Sequence, residues 1–102
     1  MANFGLRYSP LFYDDLDRIT NYILLDLKNE IATKAFIHDI ETAIKKRLEK
    51  PLQAMAYPSI RRREDEYRRI LVGNYLIFYV VIGRTMVVRR LLYGRRDLDK
   101  IL

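Results

Sequence analysis

The sequence predicts an α+β fold: an N-terminal strand, a helical hairpin, then a three-stranded antiparallel meander. Three observations carry that prediction. Apolar and polar residues alternate ahead of Pro10, apolar residues recur at spacings of three and four through two long segments, and an unbroken apolar run from Tyr75 to Ile82 lies between two glycine-containing pairs. The 102 residues suit a single domain spanning 1–102, since domains run to about 100–150 residues. Half of them are hydrophobic and 31% are charged, a composition that supports a packed core rather than disorder.

The first strand is read over Asn3 to Tyr8, where Phe4, Leu6 and Tyr8 fall on one face. Ser9-Pro10 then begins a helix, because serine is a favoured N-cap and proline lacks only an amide that would be unpaired in the first turn. Phe12, Leu16, Ile19, Ile23 and Leu27 form its apolar stripe. Asp14, Asp15 and Asp17 sit near its start, where their charges oppose the positive end of the helix dipole. Lys28-Asn29-Glu30 interrupts the pattern, and Asn29 either ends this helix or caps the next, giving a tight hairpin. The second helix is expected from Glu30 to Glu49, with Ala32, Phe36, Ile40, Ala43, Ile44 and Leu48 inward. Lys45, Lys46 and Arg47 complement its C-terminal dipole, and Pro51 ends it. His38 lies on the flank of that stripe with no second ligand at metal spacing, so it is read as structural or solvated.

Pro51 and Pro58 mark a loop, followed by the charge inversion Arg61-Arg62-Arg63-Glu64-Asp65-Glu66. Strands are expected from Glu66 to Val72, Tyr75 to Ile82 and Thr85 to Tyr93, joined by Gly73-Asn74 and Gly83-Arg84 as two-residue hairpin turns. The middle one is apolar throughout and therefore central, buried on both faces. By alternation Arg69 shares a face with Tyr67 and Leu71, whereas Arg89 and Arg90 point to opposite faces. Asp97 to Leu102 suits one closing turn of helix.

Charge narrows the function. Residues 1–51 carry eight basic and eight acidic side chains, residues 52–102 eleven and five, so the net +6 belongs to the second half. Ten of its eleven cations are arginines, whose planar five-donor fork suits phosphates and carboxylates. A nucleic acid or an acidic protein partner follows. The absence of cysteine excludes a disulfide scaffold, a thiolate nucleophile and thiolate metal sites, and neither a metal nor a cofactor site is expected. The longest apolar run is about eight residues against the roughly 20 of a membrane helix, so no membrane partner is expected. Met1 to Pro10 does not read as a secretory signal, and a cytoplasmic location is expected.

The segments "LRYSPLFYDDLDRITNYI", "YRRILVGNYLIFYVV" and "VVRRLLYGRRDLDKIL" together resemble the RelE/ParE toxin superfamily over essentially the full chain. The resemblance implies a four-stranded sheet packed on the helical hairpin. It also implies the toxin of a type II toxin-antitoxin module, neutralised by an acidic antitoxin, with a homodimer or a toxin-antitoxin heterotetramer as possible assemblies. Two targets follow from the two branches: DNA gyrase, bound and poisoned as by ParE, or messenger RNA cut on the ribosome as by RelE. For RNA cleavage, Arg69 stands near the second-strand basic position, Arg96 matches the arginine after the last strand, and Tyr93 is the candidate proton donor. Leu76 occupies the third-strand arginine position and the tail tyrosine is missing, so the "YGRRDL" ending favours the ParE-like branch. Arg61, Arg62, Arg63, Arg68, Arg89, Arg90 and Arg95 are expected to contact the target or its phosphates, with Arg90 the alternative contact for the antitoxin.

Overall fold

The computed structural model describes residues 4–53 and 67–94. The chain runs β1 (Gly5–Tyr8), α1 (Pro10–Asn21), a π-helical turn (Tyr22–Asp26), α2 (Glu30–Leu48), β2 (Arg68–Val72), β3 (Tyr75–Ile82) and β4 (Thr85–Tyr93). The α+β class holds: two helices accompany a four-stranded mixed sheet in the order β1-β4-β3-β2. The last three strands form the antiparallel meander, and β1 closes the sheet by pairing parallel to β4, with Gly5 opposite Thr85 and Tyr8 opposite Val88. Gly73 (φ 58°) and Gly83 (φ 61°) lead the two-residue turns in the left-handed region, where a Cβ would be strained.

β3 is central and Leu76 through Val80 are buried. One face of the sheet carries Ile70, Ile77, Tyr79, Met86, Val88 and Leu91 against Phe12 and Ile19 of α1 and Ile40 and Ile44 of α2. The opposite face carries a smaller cluster, Leu76, Phe78 and Leu92, with Tyr67 packed on it. The apolar run of β3 therefore reflects two cores.

Three expectations need correction. The first helix does not continue to Leu27: it ends at Asn21 and widens into the π-helical turn, where the Leu27 amide donates to the Tyr22 carbonyl at 3.2 Å. The extra residue per turn shifts the stripe, so Ile23 still packs on the core while Leu27 is 56% exposed. Lys28, at φ 50°, turns the chain, and the Asn29 side chain then caps α2 by accepting from the Ala32 amide at 2.9 Å. Asp15, read only as a helix-dipole partner, is 2% exposed and is held by partners on β4 rather than by the helix end alone. Finally, a β-bulge between Phe78 and Tyr79 of β3 and the facing stretch of β4 pairs Phe78 with Arg90 and Tyr79 with Val88. Arg89 is the extra residue, so Arg89 and Arg90 do not simply alternate between faces. The segment Arg61 to Glu66 and the expected closing turn Asp97 to Leu102 lie outside the described residues.

Among the described residues no helix is long and apolar enough to cross a membrane, and no cluster of three or more His, Asp or Glu side chains is placed to hold a metal ion.

Candidate functional site

Register across the meander assigns the arginines. Residues directly opposite one another in antiparallel strands share a face. Arg69, Phe78 and Arg90 thus form one row across β2, β3 and β4, on the face that carries Leu76, Leu92 and Tyr67. Arg68 pairs with Tyr79 and Val88, in a row on the helix-covered face. Tyr93 pairs with Tyr75, itself opposite Val72, and this row also belongs to the helix-covered face.

Arg69 and Tyr93, which the RNA-cleaving reading groups with Arg96, therefore stand on opposite faces of the sheet. Tyr93 is 64% exposed and packs edge-on against the Tyr75 ring at 5.1 Å between centroids. Burial, and then the neighbouring Tyr93 and Tyr22, push the Tyr75 phenol above its ordinary value. The phenol that does lie on the Arg69 face is Tyr67, whose ring meets Phe78 edge-on at 6.5 Å. Tyr67 is the functional candidate that motif matching passes over, although its i, i+2 spacing to Arg69 is visible in the sequence.

Arg90 is held by a structural partner. Its Nε and Nη2 meet the Asp15 Oδ2 and Oδ1 atoms at 2.8 and 3.0 Å in a bidentate pair. The hydrogen bond to Asp15 raises the Arg90 pKa above its ordinary value, outweighing the opposing effect of burial. Asp15 Oδ2 also accepts the Leu91 amide at 2.9 Å, and Oδ1 meets Arg18 at 3.3 Å. The reason lies in strand length. β1 ends at Tyr8 opposite Val88, so β4 beyond that point has no strand on this side, and α1 supplies the missing partners. Ser9 donates its amide to the Val88 carbonyl at 2.9 Å and its hydroxyl to the Arg89 carbonyl at 2.8 Å. Serine thus occupies the N-cap position without using its side chain as a cap.

Arg61, Arg62, Arg63, Arg95 and Arg96 lie outside the described residues. His38 is exposed on α2, as its sequence position suggests. The described part of the Arg69 face therefore carries the Arg69 guanidinium and the Tyr67 phenol beside an apolar floor, with Arg90 engaged by Asp15. That set stabilises negative charge well and supplies no strong base, because arginine stays protonated across the working pH range.

No curated protein matches the sequence. Among solved structures, the chromosomal ParDE toxin-antitoxin system from P. aeruginosa superposes with a TM-score of 0.73 at 18% identity, covering 93% of this chain and 100% of that one. The isolated E. coli RelE toxin gives 0.59 at 14% identity, covering 98% and 100%. The RelB-RelE complex from Methanococcus jannaschii gives 0.51 at 24% identity, covering 85% and 88%. These likenesses show a shared fold. The sequence of residues 6–98 matches the family described as the ParE toxin of the type II toxin-antitoxin system parDE, and the chain belongs to that family of toxins.

Proposed function

We propose that this toxin arrests growth by binding DNA gyrase, as expected of the ParE-like branch, and that a cognate acidic antitoxin neutralises it. One observation carries the choice of target: Arg69 and Tyr93 occupy opposite faces of the sheet, so the pair cannot converge on one phosphate. Cleavage of RNA needs a base, an acid and charge stabilisation at a single scissile bond, whereas a poison needs only a complementary surface. Membership of the ParE toxin family supports the same side. The net charge of +6 supports an acidic partner, and the ParDE and RelB-RelE structures that share this fold are toxin-antitoxin assemblies.

The test is gyrase supercoiling with trapping of cleavage complexes by the purified chain, with and without antitoxin. Inhibition that antitoxin relieves is expected, and Arg69→Ala is expected to weaken it while leaving the circular dichroism spectrum unchanged. Gyrase activity unaffected by excess toxin would overturn the reading. A second reading, ribosome-dependent RNA cleavage, is favoured by one specific feature, the placement of Tyr67 on the Arg69 face. In that reading Tyr67 rather than Tyr93 is the proton donor, and Tyr67→Phe is the variant that abolishes cutting.

A further inference from the structure

Between the last turns of α1 and the Tyr75–Tyr93 end of the β3-β4 ladder lies a groove of about 570 Å³, lined by Arg18, Ile19, Tyr22, Tyr75 and Tyr93. It lies on the helix-covered face, opposite to Arg69. Its volume falls within the roughly 300–1,000 Å³ of small-ligand sites. Three of the five lining side chains are phenols and none is a carboxylate. Exposed aromatic rings scattered singly need no explanation, but Tyr22 at 53% and Tyr93 at 64% exposure flank one concavity. Tyr75 is their fixed floor: its ring meets Phe36 at 4.8 Å and Tyr93 at 5.1 Å between centroids. Burial, and then the nearby Tyr93 and Tyr22, hold the Tyr75 phenol above its ordinary value, so it stays a neutral donor.

The cation of this groove is surplus to the fold. Asp15 carries one negative charge, and both of its oxygens already meet Arg90, at 2.8 and 3.0 Å. Arg18 shares Oδ1 at 3.3 Å, so two guanidinium groups face one carboxylate and one positive charge is left over. The Arg90 side chain is 17% exposed and that of Arg18 64%, which puts the surplus charge at Arg18, beside the rings. The groove thus combines ring faces for a flat group with a planar fork for an anion.

We propose that this groove binds one unpaired nucleotide of a single-stranded nucleic acid, its base stacked on Tyr22 and Tyr93 and the adjoining phosphate on Arg18. A nucleotide carries a flat heteroaromatic ring and an anion in one unit, which is the pair of groups the groove receives. The lining residues hold no amide or carboxylate to read a base edge, so stacking accepts any base. In a duplex the bases cover one another's faces, so the strand must be unpaired. The net charge of +6 draws a polyanion and repels a second copy of the chain. An acidic peptide would meet a single surplus cation against three rings. The site gives the toxin a hold on nucleic acid that involves neither Arg69 nor Tyr67 and needs no cleavage, so it stands whether gyrase or the ribosome is the target.

The test is fluorescence anisotropy of a labelled oligothymidylate of about eight nucleotides, with a DNA duplex and thymidine monophosphate as comparison probes. Tyr22→Leu/Tyr93→Leu is expected to weaken strand binding about tenfold or more, and Tyr22→Phe/Tyr93→Phe to leave it within about twofold, since a ring without its hydroxyl still stacks. Arg18→Gln, which tests the phosphate contact apart from the rings, is expected to weaken binding severalfold and to flatten its logarithmic salt slope by about 0.7. Duplex binding should change by less than about twofold in the leucine pair, because duplex bases cannot reach the rings. All three variants keep the wild-type circular dichroism spectrum, since the substituted side chains are exposed. Strand affinity within about twofold of wild type in the leucine pair would overturn the proposal, and weakened antitoxin binding in that variant would then give the groove to a protein. Equal loss of strand and duplex binding would reduce the site to general basic attraction and overturn the stacking. Displacement of the strand by thymidine monophosphate at comparable affinity would overturn the strand in favour of a free nucleotide.

Discussion

The two flanks of the sheet are fastened to the helices by different chemistry. At the β4 flank a buried carboxylate does the fastening: Asp15 of α1 gathers Arg90, Arg18 and the Leu91 amide. At the β2 flank an arginine and a phenol do it, with Arg47 and Tyr79 bridging α2, β2 and the Pro51 carbonyl. On the first flank Arg90 is engaged inside the fold. On the second Arg47 is engaged, but Lys46 and Lys50 beside it remain exposed. The comparison teaches that a count of cations does not locate the surface a partner meets. Arginine-rich β4 uses Arg90 for folding, while Lys46, assigned only to a helix dipole, borders a groove.

Breaking the first flank is expected to have the largest effect. Asp15→Ala removes the acceptor of a buried bidentate pair and strands both Arg90 and the Leu91 amide, a loss of about 3–5 kcal/mol by urea denaturation. A loss under about 1 kcal/mol would mean that water replaces the carboxylate and that the flank is looser than its geometry. Tyr79→Phe tests the second flank. It deletes one buried hydroxyl that donates to Pro51 and accepts from Arg47, and about 1–3 kcal/mol is expected in the same assay.

Ser9→Ala sharpens the comparison within the first flank. Only the bond to the Arg89 carbonyl is lost, since the serine side chain caps nothing, and about 1 kcal/mol is expected. The smallest effect concerns alkaline pH. Burial raises the phenols of Tyr8 and Tyr75 above their ordinary value of 10.0, so the folded state holds these protons more tightly than the unfolded one. Their contribution is complete below pH 10 and is lost as pH rises through the raised values. Tyr75→Phe should therefore flatten the alkaline limb of a melting-temperature profile slightly, and an unchanged limb would contradict the assignment.

Much of this fold is legible in the sequence because its signals are local. Gly73 and Gly83 announce the turns, the run from Tyr75 to Ile82 announces the central strand, and Asn29 announces the start of α2. The features that escape are those in which distant residues set the outcome. Alternation separates Arg89 from Arg90, but the bulge is a property of the pairing with β3. Asp15 satisfies a helix-dipole reading locally, and its true partners stand 75 and 76 residues away. No proline or glycine announces the π-helical turn over Tyr22–Asp26, which still leaves Ile23 packed on the core. Among the candidate residues, the shared face of Arg69 and Tyr67 is legible by alternation within one strand, whereas the placement of Tyr93 on the other face depends on the register between strands, which chain order does not show.

The central claim is that this toxin acts by binding gyrase and not by cutting RNA. Its most direct test is one purified sample assayed in parallel for trapped gyrase cleavage complexes and for cuts in messenger RNA on programmed ribosomes. Trapped complexes with intact RNA are the predicted result. Ribosome-dependent cuts with gyrase untouched would contradict the account and return the Arg69 face, with Tyr67, to catalysis.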